Sequence, residues 1–262
     1  MRSIATLFLC SLPVASLAAP CGNDASGFNA WKAAFAQEAA QAGVGQPGLA
    51  ALANAGYSHG TIGADRNQKS FTYTLDRFME IRGANYIVNR GRQMKAQNPQ
   101  FYASLERVYE VPAGVLLAIH GMETGFGGFM GDTNLVSATA TLTYDCRRPE
   151  FFRPHLIAAL QMVDRGWISP ATVGAKHGEL GHTQFLPGNV LAYGRDGNGD
   201  GRVDLTNLAD AMASTAWYLR QKGWQPGAGY QEGQPNFAAI KEWNAASVYQ
   251  RAIAIIAAQI DG

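Results

Sequence analysis

Residues Pro112–Gly131 read PAGVLLAIHGMETGFGGFMG. Pro112 suits the opening of a helix, and Gly125 suits its end. Between them Leu116, Ile119 and Glu123 recur at helical spacing, so one face carries an apolar stripe with an acid at its end. Glu123 sits near the helix C-terminus, where the macrodipole disfavours an anion. Desolvation and the dipole both raise its pKa. A carboxylic acid kept protonated near neutrality is the group that protonates a glycosidic oxygen. Gly125, Gly127 and Gly128 then allow a sharp turn and open space beside the acid. The spacing alone equally fits a solvated glutamate at a helix end.

Helical signals extend outward from this stretch in both directions. Phe28 to Ala42 carries Phe28, Trp31, Phe35 and Ala39 on one side. A short helix is expected near Leu49 to Asn54, and a longer one over Leu75 to Ala96 with a break at Gly83. Asn98 is placed to cap a helix that has Pro99 first and runs to Tyr109. Pro149 to Arg165, Leu208 to Lys222 and Ala246 to Ile260 complete the set, and no convincing alternating strand appears. The fold class is mainly α: a packed helical globule, not a bundle of equal helices. With 262 residues, 47% of them hydrophobic, the chain can bury one sizeable core. A formal net charge of +1 argues against nucleic acid or an anionic membrane as partner.

The N-terminus has the pattern of a signal peptide over residues 1–18. Arg2 is its basic start, Ile4 to Leu17 its apolar run, and Ser16-Leu17-Ala18 its cleavage site. Pro20 separates Ala19 from Cys21, so no lipid or membrane anchor is expected, and a periplasmic or secreted protein is. Cys10 leaves with the leader. Cys21 and Cys146 remain, and two cysteines in an exported chain suggest one disulfide.

Three further segments are suited to chemistry. Gly178–Pro187, GELGHTQFLP, has two glycines for close backbone approach and Gln184 as donor and acceptor for a sugar. Glu179 is a second carboxylate there, with a solvated or ion-paired loop residue as its plainer reading. Residues 196–210, DGNGDGRVDLTNLAD, follow an EF-hand-like spacing. Asp196, Asn198 and Asp200 take the first three ligand positions, Gly201 the sharp turn, and Arg202 supplies a main-chain carbonyl. Asn207 stands where a bidentate glutamate is usual, and Asp204 or Asp210 restores the charge. The expected ion is a structural calcium, with sodium as the other ion that fits. Glu242–Tyr249, EWNAASVY, offers Trp243 and Tyr249 for stacking on sugar rings and Asn244 for an acetamido group, though Trp and Tyr on a helix equally suit a core.

Taken together, the order and spacing of these segments resemble the membrane-bound lytic murein transglycosylase B family, over roughly Ser70 to Ile260. The family's acid-bearing segment matches Gly121, Glu123, Thr124 and Gly127. Its glycine-rich segment matches Gly178, Gly181, Gln184, Phe185 and Pro187. Its metal loop matches Asp196, Asn198, Asp200 and Asp210, and its C-terminal pair and later tyrosine match Trp243, Asn244 and Tyr249. Tyr193, before the metal loop, is kept as well. The resemblance implies a lysozyme-like (transglycosylase) helical domain over 70–262, with the calcium loop inserted and residues 19–69 as a helical extension. It implies cleavage of the MurNAc-GlcNAc β-1,4 bond of peptidoglycan glycan strands to 1,6-anhydro-MurNAc ends. Glu123 would be the single acid/base, and Gln184, Tyr193, Trp243, Asn244 and Tyr249 would hold substrate. A monomer is expected. The sequence departs from the family at Glu179-Leu180, where Ala-Met is usual, and at Ala175, where a serine is usual. The rival readings are a hydrolytic muramidase, for which Glu179 is the local second carboxylate, and a non-catalytic peptidoglycan-binding protein.

Overall fold

A computed structural model describes residues 20–67 and 73–262. The expected leader at 1–18, with Cys10, and the boundary at 69/70 lie outside the described residues. Among the described residues a short 3-10 turn, Ala25–Gly27, precedes thirteen α-helices. In chain order they are α1 Phe28–Gln41, α2 Gln46–Asn54, α3 His59–Arg66, α4 Leu75–Ile81, α5 Ala84–Gln97, α6 Pro99–Tyr109 and α7 Ala113–Thr124. Then come α8 Leu135–Tyr144, α9 Pro149–Asp164, α10 Pro187–Tyr193, α11 Leu208–Gln221, α12 Phe237–Trp243 and α13 Ser247–Asp261. No helix among the described residues is long and apolar enough to cross a membrane.

The helix over 113–124 is buried along its whole length, not along a stripe: Leu116, Leu117 and Ile119 are fully enclosed, and so is His120. The physical reason is its central position, with α13, α5, α6 and α11 packed around it. Glu123 is thereby carried on a helix enclosed in the core of the domain. Gly125 stops the helix in the left-handed region at φ 58°, and the Phe126 amide returns to the His120 carbonyl at 3.3 Å.

Four helices have no counterpart in the sequence reading as helices in their own right: α3, α8, α10 and α12. The case of α8, LVSATATLTY, is instructive. Its β-branched residues argue against a helix locally. Once it is buried, Thr139, Thr141 and Thr143 return their hydroxyls to the carbonyls four residues earlier, at 2.7–2.9 Å, so no polar group is stranded. Asn134 caps it by accepting the Ser137 amide at 2.9 Å. Asn98, expected as a cap, makes no side-chain cap bond; it is the corner between α5 and α6.

Two hydrophobic clusters form. The larger gathers α4 to α7 with α10 to α13. The smaller joins α1 and α2 to α8 and α9 through Trp31, Phe35, Leu52, Tyr144, Leu156 and Leu160. Asp164, at the end of α9, accepts the Gly45 and Gly48 amides at the start of α2, at 2.6 and 2.7 Å. Cys21 and Cys146 are joined as a disulfide, as expected, with Cα atoms 5.0 Å apart. A two-residue antiparallel ladder, β1 Thr133–Asn134 with β2 Val173–Gly174, ties the stretch after the acid to the stretch before Glu179.

Candidate active site

A cleft of about 280 Å³ opens at the C-terminal end of α7. Glu123, Glu179, Gln184, Trp243 and Asn244 line it, together with Ala175, His177, Asn189 and Tyr218. Glu123 is held by a residue from the far end of the chain: the Trp243 indole Nε1 donates to its Oε1 at 3.0 Å. Burial pushes its pKa up to about 7, and the Glu179 carboxylate adds to that. The Trp243 donor, the nearby Tyr249 hydroxyl and the Arg82 guanidinium pull the other way without overcoming burial. The site therefore has one carboxyl poised to give and take a proton near neutrality.

Gln184 stands in the left-handed region at φ 56°, an uncommon conformation for a non-glycine residue. Its Nε2 donates to the carbonyls of Gly181 at 2.9 Å and Met130 at 3.3 Å, which turns its Oε1 into the available acceptor. Gly178 and Gly181, at φ 83° and 77°, let the segment approach neighbours that a Cβ would strike: Thr139 Cγ2 and the Leu205 carbonyl. The segment is bolted to α7. His120 Nε2 and His182 Nδ1 share a hydrogen bond at 2.9 Å, and Thr124 Oγ1 donates to the His182 carbonyl at 2.7 Å. Burial keeps both imidazoles below the usual histidine range, His120 down to about 3, so the link is neutral.

Of the two plainer readings of Glu179, solvated or paired, the structure fits the paired one. Its carboxyl accepts the His177 amide at 3.2 Å and lies 3.7 Å from the His177 imidazole. Burial raises its pKa and the His177 imidazole lowers it.

Trp243 and Asn244 reach the cleft, where Trp243 also packs edge-on against Phe185 and Tyr218. Asn244 spends its Oδ1 on the Ala246 amide at 2.9 Å, so its Nδ2 is the group to offer. Tyr249 is 4% exposed, its ring packed with Phe78 and the Arg82 guanidinium, so it is not a platform for a sugar. Its hydroxyl lies beside Glu123 without meeting hydrogen-bond geometry and has no other partner. Tyr193 stands behind the cleft, packed edge-on against Tyr218 at 4.9 Å. The sequence reading missed Arg82, His177, Asn189 and Tyr218. Only His177, two residues from Glu179 in a glycine-flanked turn, had any local signal.

In the loop over 196–210, Asp196 accepts the amides of Gly199, Asp200 and Gly201 at 2.6–3.1 Å. Asn198 and Asp200 are exposed beside it. Asp210 is fully buried beneath them, accepting the amides of Gly197, Asn198 and Asp204 at 2.8–3.3 Å. Asn207 caps α11 through the Ala209 amide at 2.8 Å, and the Arg202 guanidinium reaches the Gly166 carbonyl. Among the described residues no three His, Cys, Asp or Glu side chains converge on a common metal position.

A helical globule with an acid at the end of its buried central helix, in a cleft edged by Trp243, Asn244 and Gln184, defines a lysozyme-like transglycosylase domain. The chain belongs to the Transglycosylase SLT domain family, whose sequence model matches residues 27–234. It is 36% identical over 123 residues to membrane-bound lytic murein transglycosylase B of Escherichia coli (strain K12), covering 46% of this chain and 34% of that protein. The match thus spans about a third of that relative's length. It is similar to SltB3 from Pseudomonas aeruginosa, solved in complex with NAG-anhNAM-pentapeptide, with 27% identity and a TM-score of 0.83 over 90% of this chain and 80% of that one. It shares its fold with the Escherichia coli lytic transglycosylase Slt35 solved in complex with calcium, at 22% identity and a TM-score of 0.75 over 92% and 96% of the two chains.

Proposed function

We propose that this protein is a lytic transglycosylase that cleaves the MurNAc-GlcNAc β-1,4 bond of peptidoglycan and leaves 1,6-anhydro-MurNAc ends. The observation that carries the reading is Glu123, with its pKa at about 7, at the floor of a cleft lined by sugar-binding chemistry. Protonated Glu123 donates to the glycosidic oxygen as the C1–O bond breaks. The substrate's own 2-acetamido oxygen supports the electron-poor C1. Ionised Glu123 then takes the proton of the muramyl 6-hydroxyl as that oxygen attacks C1, and the acid is restored without water being consumed. Gln184 Oε1 and Asn244 Nδ2 suit an amide or hydroxyl of the sugar, and Trp243 holds both the acid and the ring above it. Tyr193 and Tyr249 serve from behind, by shaping Tyr218 and Glu123.

A monomer belongs to the same proposal. The same proposal takes residues 19–69 as a helical extension and 70–262 as the catalytic domain, with the smaller hydrophobic cluster joining α1 and α2 to α8 and α9. Export behind a cleaved leader fits a cell-wall substrate. Calcium in the loop over 196–210 belongs to the same proposal. Asp196, Asn198, Asp200, Asp210 and the Arg202 carbonyl are hard oxygen donors, and the structurally similar Slt35 was solved with calcium. The ion would clip the turn between α10 and α11 and takes no part in the chemistry.

Mass spectrometry of digested sacculi tests the reading. Anhydro-ended muropeptides are expected from the wild type, and Glu123→Gln should lower their yield at least about 100-fold while leaving the circular dichroism spectrum intact. A folded wild-type protein that binds sacculi but releases nothing would overturn it.

A further inference from the structure

The cleft holds a carboxyl that the mechanism above does not use. Glu179 lines the same cavity as Glu123, with its side chain 26% exposed. An idle loop carboxylate gains by turning to solvent, because turning inward costs desolvation. This one is turned inward and oriented. The turn over 175–179, closed by the Ala175 amide on the Glu179 carbonyl at 2.8 Å, fixes its backbone. The His177 amide and imidazole fix its carboxyl at 3.2 and 3.7 Å. Behind His177, its Nε2 lies 3.8 Å from Asp65, which is ion-paired with Arg147 and Arg148. The small Ala175 beside it leaves room in a cleft whose 280 Å³ exceed the roughly 30 Å³ of a water molecule several-fold.

We infer that Glu179 is a second catalytic carboxyl, a base for a water molecule that competes with the substrate's own hydroxyl at C1, so that the enzyme also hydrolyses the bond it cleaves.

This rests on the transglycosylase reading of Glu123. Two carboxyls in one cleft do not ionise equally. Glu179 has the His177 imidazole beside it and Arg148 within electrostatic reach, while Glu123 has only Arg82. Glu179, held by His177 in the same cleft as the acid, is therefore placed as the base, and Glu123 stays the acid. In the hydrolytic step Glu123 gives its proton to the leaving glycosidic oxygen as the C1–O bond breaks. The water oxygen bonds to C1, and one water proton passes to Glu179. The product is a free reducing end carrying the water's oxygen. Exchange of protons with solvent returns Glu179 to carboxylate and Glu123 to acid.

The experiment is digestion of purified sacculi in oxygen-18 water, with mass spectrometry of both kinds of end. Wild-type protein is expected to yield reducing ends bearing one oxygen-18 beside unlabelled anhydro ends. Glu179→Ala and the isosteric Glu179→Gln should each lower the ratio of labelled reducing ends to anhydro ends at least about tenfold. The ratio is internal, so a partial loss of folded protein does not move it. Anhydro ends alone from the wild type, or an unchanged ratio in both variants, overturns the inference and leaves the transglycosylase reading standing. No cleavage at all overturns both.

Discussion

At the scale of the residue, Glu123 is a compromise between burial and rescue. Burial raises its pKa, and Trp243, Tyr249 and Arg82 each return part of the shift. Trp243→Phe keeps the ring and removes the indole donor. The alkaline limb of the pH–rate profile for glycan cleavage should then move up by roughly half to one pH unit, the equivalent of one hydrogen bond. The raised pKa also bears on stability. The folded carboxyl titrates at about 7 and the unfolded one at about the ordinary glutamate value of 4.5. Between these values the folded state binds more protons, so stability falls as pH rises through that window and stays reduced above it. Glu123→Gln removes the ionisable group. It should therefore be more stable than the wild type by about 1–3 kcal/mol at pH 8, with the gain shrinking to nothing near pH 4, in urea denaturation followed at each pH.

At the scale of the element, the site depends on the clamp between α7 and the segment over 178–185. Helix α7 contributes rigidity because it is enclosed on all sides, and the segment contributes Gln184 in a conformation that only a tight chain path supports. Gly181 makes that path possible: at φ 77°, an added Cβ would lie 2.3 Å from the Leu205 carbonyl oxygen. Gly181→Ala should cost about 2 kcal/mol or more, read from the urea midpoint. It should lower cleavage more than the stability loss accounts for, because Gln184 moves with the turn. Thr124→Val tests the other half of the clamp. It strands the His182 carbonyl and the Gly127 amide, and about 1–3 kcal/mol of destabilisation is expected in the same assay.

At the scale of the whole molecule, the N-terminal helices are tied to the rest by a small hydrophobic cluster, by the ion pairs of Asp65 and by the Cys21–Cys146 bridge. The bridge spans a sequence separation of 125 residues, so it removes much freedom from the unfolded chain. Cys146→Ser, or reduction of the wild type, should lower stability by about 2–5 kcal/mol in chemical denaturation. Cys146 is also flanked by Asp145 and Arg147. Loosening it should be felt through Asp65 and His177 as a change in the ends produced as well as in the melting point.

The sequence by itself determined the helical class, most helix positions, the disulfide pair, and the acid with the glycines behind it. These are local properties: a period of 3.6, a proline before and a glycine after, two cysteines, one Glu at a helix end. Tertiary structure decided what each acid and aromatic residue does. Trp243 meets Glu123 across 120 residues of sequence, Tyr249 is buried where a platform was expected, and Glu179 turns inward. It also made a helix of α8, whose β-branched residues argue otherwise until burial forces their hydroxyls onto their own backbone. The reason is common to all four. Spacing along the chain says which side chains share a face, whereas pKa, exposure and hydrogen bonding depend on which faces meet.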